Sequence, residues 1–113
     1  MHELAIASQI VEIALKRGEE VGARRIASVR VKIGQFTAVE PESLRFCFSA
    51  LTGATAADGA ALEIEEVPLT AECAVCRRSF APEEMRFTCP ECGSREVAIT
   101  GGRELDVESM EVE

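Results

Sequence analysis

The chain has no tryptophan and no tyrosine, so its five phenylalanines are its only large aromatic side chains among 113 residues. Platforms for stacking nucleic-acid bases are therefore poorly supplied. Basic residues are in deficit too: 12 Lys and Arg stand against 20 Asp and Glu, a formal charge of −8. Nucleic-acid affinity comes from neutralising phosphates, which this balance disfavours. A protein partner with a basic surface suits it better, and a solvated acidic surface is its commonest meaning. No apolar run approaches the ~20 residues that span a bilayer. The start lacks a basic segment, and Glu3, Gln9 and Glu12 interrupt the apolar stretch a signal peptide would need. A cytoplasmic protein without membrane attachment is the expectation. Histidine occurs once, as His2, and no glycine-rich phosphate loop is present. With neither a nucleophile–base pair nor a phosphate cradle, the chain is not expected to be an enzyme.

What is present is apolar material in regular phase, with 47% hydrophobic residues. From Leu4 to Gly18 the apolar positions Leu4, Ile6, Ala7, Ile10, Val11, Ile13, Ala14 and Leu15 form one broad helical face. Gly18 and Gly22 bracket the expected end of this helix. Residues 28–34 alternate as a half-buried strand, with Val29, Val31 and Ile33 inward and Arg30 and Lys32 outward. A second helix is predicted from Pro41, with Leu44, Cys47, Phe48 and Leu51 on its core face. A loop at 52–60 leads to a strand at 62–67. The final strand, 105–112, changes apolar phase between Val107 and Met110, which a one-residue bulge near Ser109 would repair. The order helix, strand, helix, strand, excursion, strand predicts an α/β (α+β) domain of residues 1–69 plus 102–113. Residues 70–101 form an insertion, entered past Pro68 and left through Gly101-Gly102, which read as hinge points.

An insertion of this length is too short to bury a core without a staple. The staple is Cys73-Ala-Val-Cys76 and Cys89-Pro-Glu-Cys92, followed by Gly93. Two such knuckles present four thiolates to one ion, which satisfies tetrahedral zinc and leaves no open position for substrate. Zinc would then supply folding free energy, about 10–16 kcal/mol in zinc-finger peptides. An iron centre of rubredoxin type uses the same ligands, but here only Phe80 and Phe87 lie nearby in the chain. One pair could serve redox exchange, yet two matched pairs favour metal. Cys47 reads as a small buried hydrophobe with no chemistry.

His2 at the start of a helix is commonly an exposed residue without a role. Its sharper meaning is chelation. The Met1 amine, the His2 backbone nitrogen and an imidazole nitrogen can close adjacent five- and six-membered rings around one cation. A deprotonated peptide nitrogen favours square-planar Ni²⁺ or Cu²⁺, with Glu3 supplying the remaining equatorial atom through backbone nitrogen or carboxylate. Amine and imidazole must both lose protons, so binding weakens as pH falls.

Four stretches resemble the HypA/HybF family of nickel metallochaperones in nickel–iron hydrogenase maturation: MHELAIASQIVEIAL, VRVKIGQFTAVEPESLRFCF, the paired CxxC motifs, and GRELDVESMEVE. The resemblance spans essentially the whole chain. It implies exchangeable Ni(II) at Met1, His2 and Glu3, and structural Zn(II) at Cys73, Cys76, Cys89 and Cys92. It also implies two helices on a small three-stranded sheet, with a zinc ribbon inserted. The implied partners are a HypB-type GTPase and the hydrogenase large subunit, with urease served in some organisms; homo-oligomer formation is left open. In some members a further histidine in the zinc module has been considered a nickel ligand, and this chain has none there. The competing readings are a zinc-ribbon interaction or regulatory domain in which His2 does nothing, and a rubredoxin-like electron carrier.

Overall fold

The computed structural model describes residues 2–113. Helix α1 (Glu3–Glu20) is followed by strand β1 (Ile26–Gly34), a one-turn 3-10 helix (Gln35–Thr37), helix α2 (Pro41–Thr52) and strand β2 (Ala61–Val67). Three short strands come next, β3 (Thr70–Cys73), β4 (Ser79–Phe80) and β5 (Val97–Gly101), and β6 (Leu105–Val112) closes the chain. Among the described residues, no helix is long and apolar enough to cross a membrane.

The first sheet has the order β2-β1-β6. β1 and β2 are parallel, and α2 supplies the crossover that a parallel pair requires. β1 is central, so Val29 and Val31 are completely buried against both helices. α1 contributes Ile6, Ala7, Ile10, Val11 and Ala14 to this core, and α2 contributes Leu44 and Phe48. The predicted face of α1 was too broad. Leu4 is 59% exposed and Ile13 39% exposed, because a sheet of three strands is narrower than the apolar arc and its flanks overhang. α1 ends at Glu20, between Gly18 and Gly22 as expected; Gly18 itself lies inside the helix, buried against Ile26, where an added Cβ would stand 3.2 Å from Ile26 Cδ1.

The phase change in β6 is a bulge. Arg30 pairs with Ser109 and Val31 with Val107, which leaves Glu108 as the extra residue. Val107 and Met110 thereby both reach the core, while Leu105 and Val112, at the strand ends, stay about two-fifths exposed at 42% and 41%. On the outward face, Glu108 stands 3.5 Å from Arg30 and 3.6 Å from Lys32, and Arg30 also meets Glu65 at 3.3 Å.

The second sheet, β4-β3-β5, is antiparallel throughout and shares no strand with the first. The two sheets meet where the chain was expected to hinge. There Gly34 N–H donates to the Glu104 carbonyl (2.7 Å), Phe36 N–H to the Gly102 carbonyl (2.8 Å), and Leu69 N–H to Gln35 Oε1 (2.9 Å). Gly102 adopts φ +106°, a backbone conformation that favours glycine. Gly34 is needed for a different reason: a Cβ there would lie 2.0 Å from the Gly102 oxygen. The crossing points at Pro68 and Gly101-Gly102 are thus pinned by hydrogen bonds.

Candidate functional site

The structure gathers the four predicted cysteines from three places. Cys73 ends β3, Cys76 sits in the turn beyond it, and Cys89 and Cys92 belong to the loop before β5. Their four sulfurs all lie within 4.8 Å of one another. Cys73 Sγ is 3.6 Å from Cys92 Sγ, and Cys76 Sγ is 3.6 Å from Cys89 Sγ. A tetrahedron with zinc–sulfur bonds of about 2.3 Å has edges of ~3.8 Å, so this spacing suits one metal ion. Cys73 and Cys89 are buried, whereas Cys76 and Cys92 face solvent.

The two knuckles are built alike. In the first, Arg77 N–H donates to the Cys73 carbonyl and Cys73 N–H to the Arg78 carbonyl, both at 2.9 Å. In the second, Gly93 N–H donates to the Cys89 carbonyl and Cys89 N–H to the Ser94 carbonyl, again at 2.9 Å. The residue after each second cysteine is left-handed: Arg77 at φ +66° and Gly93 at φ +74°. Glycine adopts this conformation freely and arginine does not. That asymmetry cannot be read from the sequence pattern alone.

Without a metal, four adjacent thiols cannot all ionise. The Cys76 N–H points at Cys73 Sγ (3.5 Å), and this, with the Val75 N–H and the neighbouring thiols, brings Cys73 down to about 6. The Cys92 N–H likewise lowers Cys89. Cys92 goes the other way: the Ser94 N–H works to lower it, but the Cys73 sulfur, burial and the remaining sulfurs outweigh that and push it up to about 12. Cys76 also rises, despite the Arg78 N–H, because of Cys89 and desolvation. A divalent cation removes the conflict by neutralising all four thiolates. The soft donor set, its spacing and its amide donors fit zinc.

The second predicted site lies at the start of α1. Met1 falls outside the described residues. His2 is the N-cap of α1, exposed, with no side-chain capping bond; its carbonyl accepts the Ile6 N–H at 3.1 Å. Glu3 occupies the first helical position, and its Oε2 accepts the Glu40 N–H at 3.0 Å. That bond, ahead of one from its own backbone, holds the Glu3 carboxyl below its ordinary range. Sequence reasoning missed the Glu3–Glu40 contact, since nothing local signals a partner 37 residues away. Cys47 lies half-buried on α2 against the core, far from the sulfur cluster in sequence and outside it in space.

Comparison with known proteins gives one consistent result. A family profile described as "Hydrogenase/urease nickel incorporation, metallochaperone, hypA" matches residues 1–112. The chain is 43% identical over 113 residues to a hydrogenase maturation factor HypA from Azotobacter chroococcum, covering 100% of both chains. It is 42% identical over 113 residues to that of Geobacter sulfurreducens, again covering 100% of both. Among solved structures, the nickel metallochaperone HypA from Helicobacter pylori matches with a TM-score of 0.69 at 26% identity, covering 99% of this chain and 97% of that one. A second HypA solution structure matches with a TM-score of 0.74, also at 26% identity, covering 99% and 96%.

Proposed function

The chain belongs to the HypA family, the nickel metallochaperones of hydrogenase maturation, and on that premise we propose that it carries Ni²⁺ on Met1, His2 and Glu3. In the same reading Cys73, Cys76, Cys89 and Cys92 hold zinc, which supplies cross-linking and no reactivity. The nickel-binding unit is residues 1–69 plus 102–113, and the zinc unit is residues 70–101. Nickel is cargo, so the protein acts as a carrier rather than an enzyme. It works in the cytoplasm and hands the ion to the hydrogenase large subunit beside a HypB-type GTPase.

One observation carries the reading: the only histidine stands at the N-cap of α1, exposed and unengaged by any capping bond. The first amide nitrogens of a helix have no intrahelical acceptor. Those of His2 and Glu3 can therefore deprotonate and ligate without costing the helix a hydrogen bond. The Glu3 carboxylate is occupied by Glu40, which favours the Glu3 backbone nitrogen as the fourth equatorial donor. The positive end of the helix dipole opposes a cation here, while the deprotonated nitrogens offset it. Grip is thus balanced against release, and a competing set of ligands on a partner can remove the ion without unfolding the core.

The test is anaerobic titration of native-terminus protein with Ni²⁺ beside a His2→Ala variant, with zinc measured in both. The expected result is one exchangeable nickel, lost in His2→Ala and lost again when residues precede Met1, with zinc unchanged. Zinc without nickel in the native protein would support the interaction-domain reading instead.

A further inference from the structure

Where the two sheets meet, an open cleft of about 360 Å³ is lined by Phe36, Phe87, Arg95 and Arg103, with β5 residues Val97–Ile99 as its floor. The Phe36 and Phe87 rings meet edge-on with centroids 6.2 Å apart, and the Arg103 guanidinium stacks 5.6 Å above Phe36. No carboxylate lines the cleft. Two acids adjoin these arginines in the chain: Glu104 is already engaged, its Oε1 accepting the Gly102 N–H at 2.7 Å, and Glu96 is not among the residues that line the cleft. Among the described residues, neither Arg95 nor Arg103 has an acidic partner.

That arrangement runs against the composition. With 20 acidic residues against 12 basic ones, an arginine has carboxylates in excess to choose from. Two guanidinium groups without partners, converging beside two phenylalanines, form a locally cationic and apolar hollow on an otherwise acidic molecule. Guanidinium forks recognise carboxylates bidentately, and the rings and aliphatic floor take an apolar side chain. The volume lies within the usual range for ligand pockets, and its open form admits a chain rather than enclosing a small molecule. We propose that this cleft binds a peptide segment of a protein partner in which Asp or Glu adjoins an aromatic or large aliphatic residue. Because Phe36 and Arg103 belong to one side of the junction and Phe87 and Arg95 to the other, an occupant clamps the two sheets together. The proposal is independent of the nickel site.

Zinc-loaded full-length protein is used to select from a phage-displayed library of random heptapeptides. Synthetic winners are then titrated by fluorescence anisotropy and mapped by amide chemical shifts. Winners should place Asp or Glu beside Phe, Trp or Leu, and should shift the amides of Phe36, Phe87, Arg95 and Arg103. Affinity should fall roughly tenfold or more in the Arg95→Ser/Arg103→Ser double variant. It should be unchanged in Lys16→Ser/Arg24→Ser, which removes the same charge from α1 and the loop after it. Both double variants change exposed side chains, so retained zinc content and circular dichroism establish that they fold. No enrichment, enrichment of basic sequences, shifts elsewhere, or equal losses in the two double variants would overturn the proposal. So would benzoate shifting the cleft amides when no peptide does, which would mark a site for free small anions.

Discussion

The carboxylate of Glu3 accepts the backbone N–H of Glu40 at 3.0 Å, joining the first turn of α1 to the residue that caps α2. Glu40 in turn receives the N–H groups of Glu42 (3.2 Å) and Ser43 (2.7 Å) on its own carboxylate. The start of α2 is thereby capped and tied to the first turn of α1, so the proposed nickel-bearing end of α1 is anchored while His2 beside it makes no capping bond.

This relay sets a pH dependence. Glu3 sits below its ordinary value of 4.5, so the stabilisation it contributes is fully present above that value and is lost as pH falls through the lower, folded-state value. In metal-free protein the Glu40 amide resonance should titrate with a midpoint below 4.5, and Glu3→Gln should abolish that component. A midpoint at or above 4.5 would contradict the contact.

Gly34 and Gly53 form a matched pair of tests. A methyl on Gly34 would collide with the Gly102 carbonyl at 2.0 Å, and neither backbone can step aside without breaking the junction hydrogen bonds. Gly34→Ala should cost about 3 kcal/mol or more in urea denaturation. Gly53 has φ −55° and nothing within 4 Å of a new Cβ, so Gly53→Ala should change stability by about 0.5 kcal/mol or less, or raise it. Equal effects would mean the close approach is absent in solution.

The second sheet buries little besides Leu69, Ala71, Cys73 and Cys89. Removing zinc with a strong chelator should therefore collapse the amide signals of β3, β4 and β5 and spare those of α1, α2 and β1. Intact β3–β5 signals after complete zinc removal would show that the metal is dispensable for folding.

The knuckle residues Arg77 and Gly93 should respond in opposite directions. Gly93→Ala adds a Cβ to a left-handed residue and should weaken zinc retention by about 1 kcal/mol, some fivefold in a chelator competition. Arg77→Gly relieves the same strain and should strengthen it by a similar amount. The Arg77–Glu72 pair lost in that variant is 3.6 Å long and highly exposed on the arginine side, so it contributes little. Matching effects of one sign would refute the symmetry of the two turns.

Much of this molecule was legible because its signals are local. The alternation of Val29, Val31 and Ile33 marks β1, and the phase slip between Val107 and Met110 marks the bulge at Glu108. The two CxxC turns announce the sulfur cluster because each knuckle is set within a few residues. What escaped depends on distance along the chain. Which flank of α1 is covered depends on sheet width, so Ile13 and Leu4 share the apolar face and yet lie outside the core. Phe36 meets Phe87 across 51 residues, and Gly34 meets Gly102 across 68, with no periodicity to betray either. The proposed nickel site is legible only as chemistry, from the donor atoms of Met1, His2 and Glu3.

β6 is an edge strand, and edge strands template unwanted pairing with other chains. The bulge at Glu108 interrupts the regular ladder of that strand, Asp106 and Glu111 add negative charge along it, and Glu113 adds more just past its end. A neighbouring molecule approaching by its own β6 meets a broken hydrogen-bond pattern and like charge. The irregularity that restores the apolar phase of this strand thus also makes its edge a poor template for another chain.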